Sequence, residues 1–198
     1  MPSPLWRGQP ASDPATVLVA EDERDLAALY EAWLAETYDV RVAHDGATAV
    51  GRFDEAVDVV LLDRRMPGDS GDEVLAHVRE AGTGAGVAMV TAVEPTTDVA
   101  SMGFDEYVVK PVDQGELLSL VATLLRRAEY DDAVRRHYRV ASKLALLERH
   151  RSRGELADSD EYERLRAELD AIDGELSGEP EPSPEDVGAM LRAADDEQ

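Results

Sequence analysis

The sequence predicts a five-stranded, parallel, doubly wound α/β domain followed by an α-helical extension, and three observations carry that prediction. Between Thr16 and about Arg127, short runs rich in β-branched residues alternate with amphipathic stretches, the pattern of parallel strands joined by crossover helices. After Arg127 that alternation never returns. At 198 residues the chain has room for one well-packed domain and a smaller appendage, and is too short for two large ones.

The strands read as Thr16 to Ala20, Asp39 to Ala43, Asp58 to Leu62, Val87 to Val90 and Glu106 to Val109. Between the first two, Leu26, Leu29, Tyr30, Trp33 and Leu34 recur at helical spacing and supply a face for the sheet. Ala47, Val50 and Phe53 do so after the second strand, and Val74, Leu75 and Val78 behind Gly71. Thr97 to Met102 makes a weak fourth helix. The fifth is clear: Asp113 and Glu116 have the spacing of a capping box, and Leu117, Leu118, Val121, Leu124 and Leu125 form its apolar stripe. Five βα units of this kind form a flavodoxin-like sheet of order 2-1-3-4-5.

From Glu116 to Arg153 there is neither Gly nor Pro, so the fifth helix is expected to run on past the domain. Gly154 is read as its break and Ser159 as a new N-cap. Tyr162, Leu165, Leu169, Ile172 and Leu176 then alternate three and four residues apart, as a heptad seam does. This predicts a helical hairpin or coiled-coil arm. Arg126 to Arg153 carries nine basic residues against four acidic ones, whereas the text beyond Gly154 is heavily acidic, so the two helices suit each other electrostatically. The chain thus divides into an N-terminal tail expected to be disordered (1–14), an α/β domain (15–127), a helical arm (128–176) and an acidic tail expected to be disordered (177–198), with a short helix near 187–192.

A net charge of −23 argues against broad attraction to nucleic acid phosphates or anionic membranes. Lys110 and Lys143 are the only lysines. Such acid-rich, lysine-poor usage resembles proteins of salt-loving organisms, where screening lengths of a few ångströms make the self-repulsion tolerable. There is no cysteine and so neither a disulfide framework nor a thiolate metal site. The first residues lack the apolar core of a signal peptide, and no apolar run approaches a membrane span of about 20 residues, so a cytoplasmic location is the default expectation.

The chemistry collects at strand ends. Asp63 follows Val59-Val60-Leu61-Leu62, Glu21-Asp22 follow the first strand, Thr91 the fourth and Lys110 the fifth. Ligand sites of open parallel sheets lie beyond the carboxyl ends of the strands at the switch in winding, which brings Glu21, Asp22 and Asp63 together. Three crowded carboxylates repel one another, and a hard divalent cation is the usual way to hold them ionised, with Mg²⁺ the natural candidate. Asp63 then suits a phosphoryl acceptor, with Lys110 as a second positive charge and the Thr91 hydroxyl as a donor to a phosphoryl oxygen. Pro111 stiffens the turn after Lys110 and is a candidate cis peptide. A lone carboxylate after a strand is more often a cap than a nucleophile; the joint pattern of four strand ends reverses that preference.

Together these residues resemble the receiver domain of bacterial and archaeal response regulators, the phosphorylated half of two-component signalling. The resemblance spans about Thr16 to Arg127 and rests on Glu21-Asp22, on Asp63 with Met66, Pro67 and Gly71, on Thr91-Ala92, on Tyr107 and on Lys110-Pro111. It implies that Asp22 and Asp63 bind Mg²⁺ directly, that Glu21 helps through water, and that the Arg65 backbone carbonyl completes the protein ligands. It also implies a switch in which Thr91 moves toward the phosphoryl group and Tyr107 turns inward, changing the face formed by the fourth and fifth helices and the fifth strand. The arm is similar in layout and composition to the HalX domain found after receivers in haloarchaeal regulators.

The expected function is therefore a response regulator that takes a phosphoryl group from a sensor histidine kinase and is not an enzyme, with output through a homodimer or protein partner of the C-terminal helices. One alternative is DNA binding by the basic helix 126–153, against which no helix-turn-helix layout is visible. Another is a metal-dependent phosphohydrolase. Phosphatases of this chemistry carry a second Asp two residues after the nucleophile, where this chain has Arg65.

Overall fold

The computed structural model describes residues 14–68, 70–128, 130 and 132–177. The expectations for the two tails lie outside these residues, apart from the last residues of the one and the first of the other. Five parallel strands, β1 (Thr16–Ala20), β2 (Asp39–Ala43), β3 (Val57–Leu62), β4 (Gly86–Thr91) and β5 (Glu106–Val109), form one sheet in the order β2-β1-β3-β4-β5. Helices α1 (Arg24–Leu34), α2 (Gly46–Arg52), α3 (Gly71–Ala81) and α4 (Gln114–Ala128) flank it. No helix among the described residues is long and apolar enough to cross a membrane.

β1, β3 and β4 are buried on both faces, which is why they read as continuous apolar runs rather than alternating ones. Val17, Val19, Val59, Leu61, Ala88 and Val90 form one side of a core closed by Tyr30, Leu34, Leu117, Val121 and Leu124. The helix faces differ in detail from the sequence expectation. Leu29 is exposed and Ala27 takes its place in α1, while in α2 the buried residue is Ala49 rather than Ala47, because Ala49 and Phe53 share a face one turn apart.

α4 begins with the capping box read from the sequence: Glu116 N–H donates to Asp113 Oδ1 at 2.9 Å, and Asp113 N–H to Glu116 Oε2 at 3.1 Å. It does not run on. It ends at Ala128, and α5 begins at Asp132. The buried stripe of α4 stops at Leu124 and that of α5 resumes only at Val140, so little apolar contact supports a helix in between. Asp132 is favourable in a first turn and unfavourable at a helix C-terminus, so it favours a new start over continuation.

The described residues form two compact units that are not sequential: those of 14–94 with those of 102–128 form one, and those of 95–101 with those of 130–177 form the other. The second contains α5 (Asp132–His150), α6 (Arg153–Ala157) and α7 (Asp160–Ser177). Gly154 lies within α6, and the break falls at Ser152, whose hydroxyl caps α6 in a capping box with Glu155. Ser159 Oγ accepts from Tyr162 N–H at 3.3 Å at the start of α7. α5 and α7 lie against each other as a helical hairpin, burying Val140, Leu144 and Leu147 on one side and Leu165 and Ile172 on the other. Leu176 of the expected seam is exposed. Arg136 pairs with Glu175 at 2.9 Å and His137 with Asp173 at 2.9 Å, joining the basic helix to the acidic one.

The weak fourth helix of the α/β pattern is a single 3₁₀ segment, Thr97–Ser101, and it folds with the helical unit. Its Val99 is fully buried, and α5 and α7 supply its surroundings within that unit.

The loop after β3 depends on two glycines. Gly68 has φ +77°, where side-chain-bearing residues are strained. At Gly71 a Cβ would stand 2.2 Å from the Asp63 carbonyl oxygen, so only glycine lets α3 start this close to the strand end. Gly71→Ala is expected to destabilise the protein by about 2 kcal/mol or more. Gly51→Ala, where a Cβ meets nothing within 4 Å, should be neutral or stabilising by up to about 1 kcal/mol. Urea unfolding of the two variants checks the contrast.

Candidate functional site

The sheet's hydrogen bonding continues one residue past three strands, and this fixes the site. Glu21 N–H donates to Ala43 O, Asp63 N–H to Ala20 O and Lys110 N–H to Thr91 O, each at 2.9 Å. Glu21, Asp63 and Lys110 are thus anchored by backbone to neighbouring strands just where the strands end.

Their side chains converge. Lys110 Nζ donates to Glu21 Oε2 at 2.5 Å and also to Asp63 Oδ2. Thr91 Oγ1 donates to Asp63 Oδ1 at 2.7 Å, and the Arg65 backbone N–H donates to the same oxygen at 3.0 Å. Both oxygens of Asp63 are therefore oriented. Glu21, Asp63 and Thr91 are buried, and Asp22 is exposed at the rim. Carboxylate oxygens of Glu21, Asp22 and Asp63 lie within 4.8 Å of one another, close enough to share one cation. An all-oxygen, acid-rich set suits a hard divalent ion. The Arg65 side chain is exposed, and its backbone amide is already engaged with Asp63.

Tyr107 is buried, with its hydroxyl donating to Val93 O at 2.7 Å and its ring beside Phe104 at 5.5 Å. Val93 N–H in turn reaches Thr91 Oγ1 at 3.4 Å. The peptide bond Lys110–Pro111 is cis. Sequence reasoning gave no role to His44, yet its Nδ1 lies 3.1 Å from Glu21 O, where it steadies the acidic pair. It also passed over Arg79, which donates to Gly103 O at 2.6 Å and pairs with Asp105, tying α3 to the start of β5. Neither contact has a local signature, because the partners are 23 and 24 residues away.

Burial pushes the Glu21 carboxyl above its ordinary range; Lys110 opposes this and the Asp63 charge adds to it. Burial alone would lower the Lys110 ammonium, but its hydrogen bonds to Asp63 and Glu21 outweigh that and hold it above its usual value, so it stays charged.

A raised folded-state pKa means that Glu21 contributes stability present in full below the ordinary value of 4.5 and lost as pH rises through the folded value. Glu21→Gln is accordingly expected to gain stability relative to wild type between about pH 4 and about pH 7 in metal-free buffer. Urea unfolding at both pH values measures the difference. An advantage that shrinks over this range would contradict the assignment.

Comparison with known proteins places this geometry. Residues 17–122 match the response regulator receiver domain family, and residues 126–186 match the HalX domain family. A Haloferax volcanii protein with the provisional name of transcriptional regulator is 44% identical over 160 residues, 80% of this chain and 27% of its own length. The sensory transduction protein RegX3 of Mycobacterium tuberculosis is 38% identical over 123 residues, 60% of this chain and 54% of its own. The chain thus spans about a quarter of the first relative and about half of the second. Among solved structures, the receiver domain of a LuxO-type repressor protein from Vibrio parahaemolyticus aligns with TM-score 0.54 and 27% identity, covering 59% of this chain and 93% of that one. The response regulator TrrA of Thermotoga maritima, solved in complex with Mg²⁺ and BeF, aligns with TM-score 0.50 and 34% identity, over 56% of this chain and 98% of that one. The chain belongs to the response regulator receiver family, and the residues after its receiver match the HalX domain family.

Proposed function

We propose that this protein is a cytoplasmic response regulator whose Asp63 accepts a phosphoryl group from a phosphohistidine of a sensor kinase and whose phosphorylation state is read by the helical unit. The observation that carries this reading is the environment of Asp63: a buried carboxylate with both oxygens oriented, an ammonium on one and a hydroxyl on the other.

An Asp63 carboxylate oxygen attacks phosphorus, the new O–P bond forms as the N–P bond to the donor imidazole breaks, and the imidazole leaves with the electron pair. Glu21, Asp22 and Asp63 would hold Mg²⁺, which when bound supplies charge neutralisation to the transferring phosphoryl oxygens. Lys110 holds Asp63 in place beforehand and offers its ammonium to the incoming phosphoryl group. Thr91 gives its hydroxyl hydrogen bond to that group in place of Asp63 Oδ1. Arg65 N–H keeps the nucleophile's orientation.

The consequence is a signal rather than turnover. Two residues beyond Asp63 stands the exposed Arg65, which offers no carboxylate to activate water. For output we favour a protein partner or a second copy over DNA, since Arg136 and His137 of the basic helix are already engaged by Glu175 and Asp173. The related names that mention transcription belong to proteins of which this chain spans half or less, or not much more.

Incubation with acetyl phosphate and Mg²⁺ at high salt is expected to add one phosphoryl group by intact mass. The addition should be lost with Asp63→Asn and on chelation with EDTA, and slowed at least tenfold by Lys110→Met. Undiminished labelling of Asp63→Asn would overturn the assignment.

A further inference from the structure

Three arginines of the helical unit share one cavity. Arg149, Arg151 and Arg153 recur at alternate positions across the turn from α5 into α6, in a chain whose net charge is −23. Arg151 and Arg153 line a cavity of about 800 Å³ at this turn, and Arg166 of α7 lines it too. Small-molecule sites usually measure about 300–1,000 Å³, so the space suits a ligand. Every residue that lines it belongs to the helical unit.

The guanidinium groups have donors to spare. Arg151 Nη2 donates to Pro95 O at 2.9 Å and Nη1 stands 3.5 Å from Glu155, but the buried Nε has no hydrogen-bond partner among the described residues. A buried donor left unpaired costs about 1–3 kcal/mol, so an acceptor that reaches it is favoured. Arg153 and Arg166 are exposed and pair with no carboxylate among the described residues. Two carboxylates, Glu148 and Glu163, line the cavity as well. Glu148 Oε1 accepts from the Tyr162 hydroxyl at 2.6 Å, which ties α5 to α7 across the cavity wall. Leu156 and the Tyr162 ring supply its apolar surface.

We infer that this cavity binds a small organic phosphate, with the phosphoryl group against Arg151, Arg153 and Arg166 and the rest of the molecule beside Leu156 and Tyr162. A phosphoryl group presents three oxygens and up to two charges to three guanidinium forks, where a carboxylate presents two oxygens and one charge. Glu148 and Glu163 then serve as acceptors for hydroxyl or amino groups of the same molecule. Such a ligand joins the α5–α6 turn to α7 and stabilises the hairpin by mass action. Binding there requires nothing of Asp63 and so goes beyond the phosphoacceptor reading.

The test titrates the full-length protein with inorganic pyrophosphate by calorimetry, at high KCl and with EDTA present so that no metal bridges the probe to the acidic strand ends. Molar salt cuts the screening length to about 3 Å, so only direct contacts with the probe survive. Saturable binding of one pyrophosphate per chain is expected, weakened about tenfold or more in Arg153→Gln and in Arg166→Gln. Both side chains are exposed, and matching urea midpoints without the probe check that the variants fold as wild type does. Citrate, of comparable charge but carrying only carboxylates, should bind more weakly, and pyrophosphate should slow amide hydrogen exchange within 151–166. Absence of saturable binding, full retention of binding by either variant, or citrate binding as tightly as pyrophosphate would overturn the inference.

Discussion

One ammonium group makes the site possible. Lys110 stands between two buried carboxylates, Glu21 and Asp63, and donates to both. Without it, two acids at adjacent strand ends face each other in a poorly hydrated pocket, and removing one partner from such a buried arrangement costs on the order of 3–5 kcal/mol. The strand order brings about the meeting: β1 and β3 are neighbours, and the chain reaches Lys110 two strands further on. A single ammonium against three carboxylates still leaves negative charge in excess, and that remainder is what a divalent ion would offset.

The same balance suits Asp63 to the nucleophile's role proposed for it. Its oxygens are occupied by Lys110, Thr91 and the Arg65 amide, so its orientation is fixed before any donor arrives, and little reorganisation remains for the transfer step. Gly71 allows α3 to begin close behind it, and the loop between adjusts through Gly68. The surplus acidity of the surface is a separate matter. It sets the salt conditions the protein suits, and the haloarchaeal relative accords with that.

The α/β core was highly legible in the sequence because its signals are local. Strands buried on both faces announce themselves as apolar runs, and three of the five strand spans were read to the residue. The Asp113 capping box was plain for the same reason. What could not be read depends on tertiary partners. Nothing in Thr97–Ser101 says that it folds with the helical unit, since a partner such as Lys143, which donates to Ala100 O, lies 43 residues away. A long Gly- and Pro-free stretch looked like one helix, but propensity only permits a helix, and packing decides its length. The candidate site was legible as a set of strand-end residues; its order, with Lys110 shared by two acids and His44 behind Glu21, came only with three-dimensional structure.

The most direct test of the central claim is chemical location of the phosphoryl group. Borohydride reduces an aspartyl phosphate, an acyl phosphate, to homoserine, so treatment of the phosphorylated protein followed by peptide mass spectrometry identifies the acceptor without any substitution. Homoserine at position 63 is the predicted result. Homoserine at another aspartate, or a phosphoryl group that resists borohydride and maps to a histidine, would contradict it.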